Sequence, residues 1–576
     1  MRGLGVSPGI AEGIIHVVRD DLDDIPRYSI AASQIPDEIG RFEAALIQTR
    51  MQILEMQQRI AESIGAKDAA IFDAHLLVVE DRTLIDEVLR KLDKDRCNVE
   101  WVFEEVASGY ANTLSKIDDP YLRERAIDMQ DVAKRVIRNL LGKAQFLAPT
   151  DRHILIAHDL KPSETAMLDR NRVLGMALDL GSRTSHTAIM ARSLSIPTVV
   201  GLHDATERLE TGQTVLLDGI TGLVIVNPSN DTLAAYREIE TRRVRITEQL
   251  TELRETKSTT RDGRHIVLSA NIELPQDVQN VVANGSEGIG LYRTEFLYLN
   301  RNTLPTEDEQ CDIYRSVAEQ VQPHPLIIRT FDLGGDKIAP GSVEAPDELN
   351  PFLGCRAIRF CLENLDIFKT QLRAILRASV IGNIKIMFPM ISGLHELRQA
   401  VGVLNECKDQ LGRDGVQFSE ETEVGAMIEI PSAAISADVL AREVDFFSIG
   451  TNDLIQYAIA VDRVNEKIAH LYQPTHPAVL RLLKMVSDAA HSNEIWVGVC
   501  GEMAGDVALI PLLLGLGMDE LSVGATLVPR VKRAVQSLEI AECKQLVEES
   551  LKLETPDQIL DRCLQLANAR YGDLLG

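Results

Sequence analysis

From residue 266 onward the chain repeats one pattern: a short apolar run that stops at a polar or charged residue, followed by a stretch with helical spacing. Ile266-Val267-Leu268-Ser269-Ala270 stops at Asn271, Gly288-Ile289-Gly290-Leu291-Tyr292 at Arg293, and Leu326-Ile327-Ile328 at Arg329. Lys385-Ile386-Met387-Phe388 stops at Pro389-Met390, and Val424-Gly425-Ala426-Met427-Ile428 at Glu429. Phe446-Phe447-Ser448-Ile449 leads to Asn452-Asp453, and Trp496-Val497-Gly498-Val499 to Cys500. Strands alternating with helices form parallel sheets, and polar residues gathered at strand carboxyl ends mark a (β/α)8 barrel. The pattern predicts such a barrel over residues 259–576. The eighth strand falls either at Leu353-Gly354-Cys355 or at Glu520-Leu521-Ser522-Val523. The rival, an open doubly wound sheet, lacks its usual Gly-x-Gly-x-x-Gly turn opening a helix.

The first half reads differently. An extended piece, Gly13-Ile14-Ile15-His16-Val17-Val18, follows a Pro-Gly turn. Residues 35–141 then carry apolar positions at helical spacing, with Phe42, Leu46, Thr49, Ile53, Met56 and Ile60 outlining one face. Residues 20–143 hold 25 Asp and Glu against 17 Lys and Arg, a net of -8. Short strands return at residues 154–157, 173–175, 198–200 and 214–217. The expected organisation is multidomain: one α/β domain over 1–21 and 145–228, with a helical subdomain, 22–144, inserted in it. The charged run over 231–257 predicts a linker helix within 229–258, leading into the barrel.

A chain of 576 residues is too long for one core. Its 45% hydrophobic and 25% charged content is that of a globular protein. The net charge of -26 disfavours nucleic acid and anionic membrane surfaces as partners. No run approaches the ~20 apolar residues of a membrane span, and the N-terminus lacks a signal-peptide run. The 8 cysteines form no close C-x-x-C pair. Reduced thiols and a cytoplasmic location are expected.

One segment stands out: Gly181-Ser182-Arg183-Thr184-Ser185-His186-Thr187-Ala188-Ile189-Met190-Ala191-Arg192. It sets a histidine among hydroxyls and arginines where an apolar strand-like run passes into a helix. Free backbone N–H groups, hydroxyls and guanidinium groups suit a phosphate. No second metal-binding side chain stands at ligand spacing, so His186 is better placed to carry a phosphoryl group than a metal. On the residues alone, Thr184 or Ser185 capping the helix beside a bystander His186 is an equal reading.

The barrel's strand ends supply a second set of candidates. Arg293 and Arg329 are forked donors suited to phosphate. Glu429 and Asp453 are hard oxygen ligands, and two carboxylates suit Mg2+ completed by substrate and water. Asn452 is able to orient a substrate carboxylate, Arg463 follows one short helix later, and the Cys500 thiol is able to protonate an enolate. Each taken singly has a bland reading: an ion pair, a turn residue, a packed thiol. Gathered on one face of one barrel they are harder to dismiss.

These motifs resemble a known family. Residues 181–192 are similar to the phosphohistidine signature of the phosphoenolpyruvate-utilising enzymes. Gly290-Leu291-Tyr292-Arg293-Thr294-Glu295, Asp332-Leu333-Gly334-Gly335-Asp336-Lys337, Ile449-Gly450-Thr451-Asn452-Asp453-Leu454 and Cys500-Gly501-Glu502-Met503-Ala504-Gly505 extend the resemblance, which runs from Gly5-Val6-Ser7-Pro8-Gly9 to Ser522-Val523, to the enzyme I family of the bacterial sugar phosphotransferase system. The resemblance implies that His186 takes a phosphoryl group from phosphoenolpyruvate, releases pyruvate, and passes the group to a histidine of an HPr-type carrier. It implies that Arg293, Arg329 and Arg463 bind substrate, that Asn452 and Asp453 contact it, that Glu429 and Asp453 hold Mg2+, and that Cys500 protonates enolpyruvate. It also implies a homodimer through the barrel, carrier docking on the helical subdomain near His75 and Arg125, and no nucleic acid or membrane insertion. His476 is read as part of a structural loop rather than as a second phosphorylated residue. Pyruvate phosphate dikinase and phosphoenolpyruvate synthase are the enzymatic rivals. They carry a large ATP-binding domain, for which this chain shows neither a Gly-x-x-x-x-Gly-Lys loop nor spare length. A non-catalytic regulatory relative is the other rival, and the intact candidate residues argue against it.

Overall fold

The computed structural model describes residues 1–18, 25–63, 71–115, 120–142, 151–160, 168, 172–181, 186–193, 196–298, 303–332, 350–463, 465 and 467–575. The chain divides into two compact units, Met1–Arg242 and Arg243–Gly576.

The first unit is built on a seven-stranded sheet. Its strands are β1 (Leu4–Ser7), β2 (Ile10–Val18), β3 (His153–Ala157), β4 (Val173–Leu178), β5 (Thr198–Val200), β6 (Thr214–Asp218) and β7 (Leu223–Val226). Their order is β1-β5-β4-β3-β2-β6-β7. The middle strands β2, β3, β4 and β5 run parallel, while β1, β6 and β7 pair antiparallel at the edges. The parallel β3, His-Ile-Leu-Ile-Ala, is buried along its whole length, as expected of a strand covered on both faces. Alternate residues feed two cores: Leu155, Ala157, Met176 and Leu178 on one face, Ile154, Ile156, Ala177 and Val199 on the other.

Between β2 and β3 lie helices α1 (Ile35–Ser63), α2 (Ile71–Val79), α3 (Arg82–Asp95), α4 (Val99–Ser115) and α5 (Pro120–Leu140). They close on their own core, which includes Phe42, Ile53, Phe72, Val88, Phe103 and Val136. Local signals set their ends. Asp81 accepts from the N–H groups of Thr83 and Leu84 and starts α3, and Arg96, in the left-handed region at φ 50°, ends it. A short helix, α6, covers His186–Ser193. Helix α7 (Asn230–Glu252) holds the boundary between the two units.

In the second unit, β8 (Val267–Ile272), β9 (Ile289–Arg293), β10 (Leu326–Arg329), β11 (Ile384–Phe388), β12 (Val424–Ile428), β13 (Phe446–Ile449), β14 (Trp496–Val499) and β15 (Glu520–Gly524) form a closed barrel. All its pairings are parallel. The open question of the eighth strand is answered by β15, which pairs with β14 through Gly498 and with β8 through Val267. Leu353 instead ends a short 3-10 helix, Pro351–Leu353. The barrel interior packs Leu291, Ile327, Met387, Met427, Phe446 and Cys500, and the outer shell forms one continuous core with the helices. Within that shell Ile510–Leu516 is a helix with every residue buried. The segment after α7 is tied to the barrel by Lys532, whose buried Nζ donates to the carbonyls of Arg254 and Gly285 at 2.9 Å each. Among the described residues no helix is long and apolar enough to cross a membrane.

Candidate active site

The barrel places a polar residue or a thiol where several of its strands run out. Arg293 and Arg329 end β9 and β10, Glu429 follows β12, and Cys500 follows β14. Asn452 and Asp453 stand in the first turn of the helix Thr451–Ile459, directly after β13. With Arg463, all of them line one cavity of about 170 Å3. These are the barrel residues singled out from the sequence, and the structure brings them together.

The cavity floor is a buried network of charge. Arg329 Nη2 lies 2.6 Å from Glu295 Oε1 and 3.1 Å from Asp332 Oδ2. Its Nε has no partner among the described residues. Arg356 grips Asp332 with Nη2 at 2.8 and 3.0 Å and Nε at 3.2 Å. The same Nη2 is 3.6 Å from Asp453 Oδ2. Burial works against both guanidinium charges, but the carboxylates around them outweigh it and hold both groups above their ordinary pKa. Replacing Arg329 by methionine would deprive Glu295 and Asp332 of this cation in a buried setting. The expected cost is roughly 3–5 kcal/mol of stability, read by denaturant unfolding at neutral pH; an unchanged midpoint would show that the network does not depend on Arg329.

Glu429 is buried, and its Oε1 accepts the Met390 N–H at 2.6 Å. Met390 holds a left-handed φ of 56°, a conformation a side chain disfavours, and Ala357 beside Arg356 does the same at 53°. Strained backbone thus flanks both the acid and the second arginine. Burial pushes the Glu429 carboxyl up to about 8, with Asp453 and Asp332 adding to the shift and Arg329 and Arg356 opposing it. Ionised, Glu429 would join Glu295, Asp332 and Asp453 around two buried arginines, an arrangement short of positive charge. Hard oxygen donors in such a deficit fit a divalent cation of the Mg2+ type. Among the described residues no group of three or more His, Cys, Asp or Glu is able to form a closed metal cage. A pair of carboxylates leaves the remaining positions to substrate and water.

Cys500 is 2% exposed, with Sγ 3.6 Å from the Ile449 carbonyl. Burial pushes its thiol up to about 11, against a hydrogen bond from the Ser448 side and the nearby arginines. The thiol is therefore protonated at neutral pH, as a proton donor must be. Arg293 Nη1 is held 2.8 Å from Glu273. Asn452 and Glu502 bond to each other across the cavity rim.

Comparison with known proteins gives this geometry a family. Residues 247–540 match the PEP-binding domain of PEP-utilising enzymes, 2–125 their N-terminal domain, and 149–222 their mobile domain. The phosphoenolpyruvate-protein phosphotransferases of Bacillus sp. (strain S) and Geobacillus stearothermophilus are each 47% identical over 563 residues, covering 97% of this chain and 97% of theirs. That of Bacillus subtilis (strain 168) is 44% identical, over 97% of this chain and 98% of its own.

The chain belongs to the phosphoenolpyruvate–protein phosphotransferase family.

Within this phosphotransferase fold His186 is the first residue of α6. Residues 182–185, and the His186 side chain with them, lie outside the described residues, so the cap proposed at Thr184 or Ser185 is not described. Thr187 is described: its Oγ1 donates to the Leu160 carbonyl at 2.6 Å. His476 caps a helix, its Nδ1 accepting from the Ala478 N–H at 3.1 Å, which is the structural part expected of it. His75 differs from expectation. It is 2% exposed and lies 3.3 Å from Asp128, buried between α2 and α5, so it offers no direct contact to a carrier. The Arg125 side chain lies outside the described residues.

Four further residues, Arg356, Glu295, Asp332 and Glu502, join the site. Glu295, Asp332 and Glu502 sit inside the motifs given above, which mark their positions and leave their roles open. Arg356 had no such marker. It lies just after the 3-10 helix Pro351–Leu353, and nothing in its local sequence shows that it meets the cavity.

Proposed function

We propose that the chain transfers the phosphoryl group of phosphoenolpyruvate to its own His186 and then to a histidine of an HPr-type carrier, releasing pyruvate, as the first step of a sugar phosphotransferase system. One observation carries the reading: in a chain 47% identical to a phosphoenolpyruvate-protein phosphotransferase, arginines, carboxylates, an amide and a protonated thiol meet in one cavity at the strand ends. Arg293, Arg329, Arg356 and Arg463 supply forked donors for the phosphoryl and carboxylate oxygens. Asn452 adds a neutral donor for the carboxylate. Glu429 and Asp453 are the ligands we assign to Mg2+, which when bound would offset charge on the phosphoryl oxygens. The neutral imidazole of His186 attacks phosphorus in line; the N–P bond forms as the bond from phosphorus to the enol oxygen breaks. The electron pair left on enolpyruvate takes up the Cys500 proton at the methylene carbon, giving the methyl group of pyruvate. Since one histidine serves both the cavity and the carrier, the α/β domain (1–21 and 145–228) has to move about the linker at 229–258.

The acidic helical subdomain, 22–144, is the docking surface we assign to the carrier. Ile47, Met51 and Leu77 stand exposed on α1 and α2, and exposed apolar side chains on an acidic subdomain suit a partner with a basic rim. For the homodimer we assign the barrel domain, 259–576. There Ile435 and Met485 are exposed on neighbouring helices, and sedimentation with and without substrate is the check. A cytoplasmic location follows from the same reading.

The test is direct. Full-length protein with labelled phosphoenolpyruvate and Mg2+ should gain an acid-labile label and give it up to an HPr-like protein. ATP should not substitute as donor. A fragment of residues 1–258 should take label back from a phosphorylated carrier but be inert toward phosphoenolpyruvate. A folded fragment that exchanges with no HPr-like carrier would remove the docking assignment.

A further inference from the structure

One acid on the cavity rim has no task in the proposed reaction. Glu502 lies two residues beyond Cys500, opens the 3-10 helix Glu502–Gly505, and lines the cavity. Its backbone N–H donates to Asn452 Oδ1 at 2.9 Å, and Asn452 Nδ2 donates to its carboxylate Oε1 at 3.2 Å. Each bond runs in one sense only. A backbone N–H can only donate, so it must meet the amide oxygen; a carboxylate can only accept, so it must meet the amide nitrogen. An amide's orientation is read from its partners, and here two partners of opposite kind agree. Turning the amide over would set donor against donor and oxygen against oxygen. One N–H of the Asn452 amide remains after both bonds are made.

The same pair joins two strand ends. Asn452 and Asp453 begin the helix after β13, and Cys500 follows β14. The two segments already touch: a Cβ on Gly501 would stand 2.9 Å from the Thr451 nitrogen and collide with its hydroxyl. The Cys500 N–H donates to the Ile449 carbonyl at 3.1 Å. Backbone contacts thus set the approach of the turn, and the Glu502 carboxylate reaches past them to the side chain of Asn452.

We propose that Glu502 is a positioning residue: it fixes the polarity of the Asn452 amide, so that a donor and not an acceptor meets the carboxylate of an enol phosphate. The inference rests on the function proposed above, in which Asn452 faces that carboxylate. Without the Glu502 side chain the amide keeps only the backbone bond and is free to turn its oxygen toward the substrate, where it would repel the carboxylate. This weakens ground state and transition state together, so it falls on KM more than on kcat.

The test compares E502A, E502Q, N452A and the double variant in the full-length enzyme, reading KM for phosphoenolpyruvate, kcat for pyruvate release and the thermal midpoint. Because Glu502 is exposed, the midpoint should not move. E502A should raise KM about tenfold, the loss expected for one charge-assisted hydrogen bond, with kcat changed less. E502Q keeps an acceptor for the same bond and should return KM to the wild-type value or below. The double variant should be no worse than N452A, because the two residues act as a unit. A wild-type KM in E502A, an E502Q as impaired as E502A, or effects that multiply in the double variant would each overturn the proposal. N452A separates the two levels. If N452A raises KM and E502A does not, the inference alone falls; if N452A leaves KM unchanged, the substrate role of Asn452 falls and takes the inference with it.

Discussion

Replacing His186 by alanine is expected to abolish labelling of the protein by phosphoenolpyruvate altogether, while substrate still binds. The expectation rests on the chemistry that the transfer requires. The phosphoryl group needs a nitrogen nucleophile with an open lone pair, at the start of a helix whose N–H groups favour an anion. His186 is the first residue of the helix that follows β4, whereas the other candidate, His476, has Nδ1 engaged as a helix cap. Binding should survive because the arginines assigned to substrate all line the cavity of the barrel unit. Isothermal titration and acid-labile label are the two measurements. Label persisting in the His186→Ala protein would move the phosphorylated residue elsewhere.

The second large effect is expected at Cys500. Cys500→Ala should slow pyruvate release by about 10²- to 10⁴-fold, the range for a lost general acid, with KM for phosphoenolpyruvate little changed. The thiol is buried at the end of β14 and protonated well past neutral pH, so it holds its proton until a strongly basic carbon is presented. Phosphohistidine formation in a single turnover should be affected less than pyruvate release, because the proton enters after phosphorus has left. A variant that releases pyruvate at the wild-type rate would reduce Cys500 to a packing residue of the barrel interior, where it sits among Met387, Met427 and Phe446.

Much of the barrel was legible because its strands are punctuated: several apolar runs stop at a residue that cannot be buried without a partner, and Arg293, Arg329, Glu429 and Cys500 at those stops line the cavity. The runs at 326–328, 424–428, 446–449 and 496–499 all became strands with these residues as their cores. The edges of the first unit were less legible. Leu4–Ser7 is short and carries a glycine, and it pairs antiparallel with β5, a partner far away in sequence. Leu223–Val226 is plainly strand-like, but an eye set on strand–helix alternation leaves no place for the hairpin it forms with β6. The Gly219-Ile220-Thr221-Gly222 turn between them was the available signal. In the site, single residues were legible from type and position, whereas the network was not. That Arg356 closes on Asp332 and Asp453 is a contact between residues far apart in sequence, and no spacing rule encodes it.

The division of the chain into cores has a thermodynamic consequence. Among the described residues, those buried in the barrel unit form two apolar clusters and those of the first unit form three others, with none shared between the units. Chains built of more than one compact unit commonly depart from two-state unfolding, so separate transitions are expected of the two units. On the proposed reaction the two losses are not equivalent. A chain whose barrel had melted would still hold the α/β fold and its histidine. It would draw phosphoryl groups back from the carrier with no donor to replace them, turning the first enzyme of a relay into its drain.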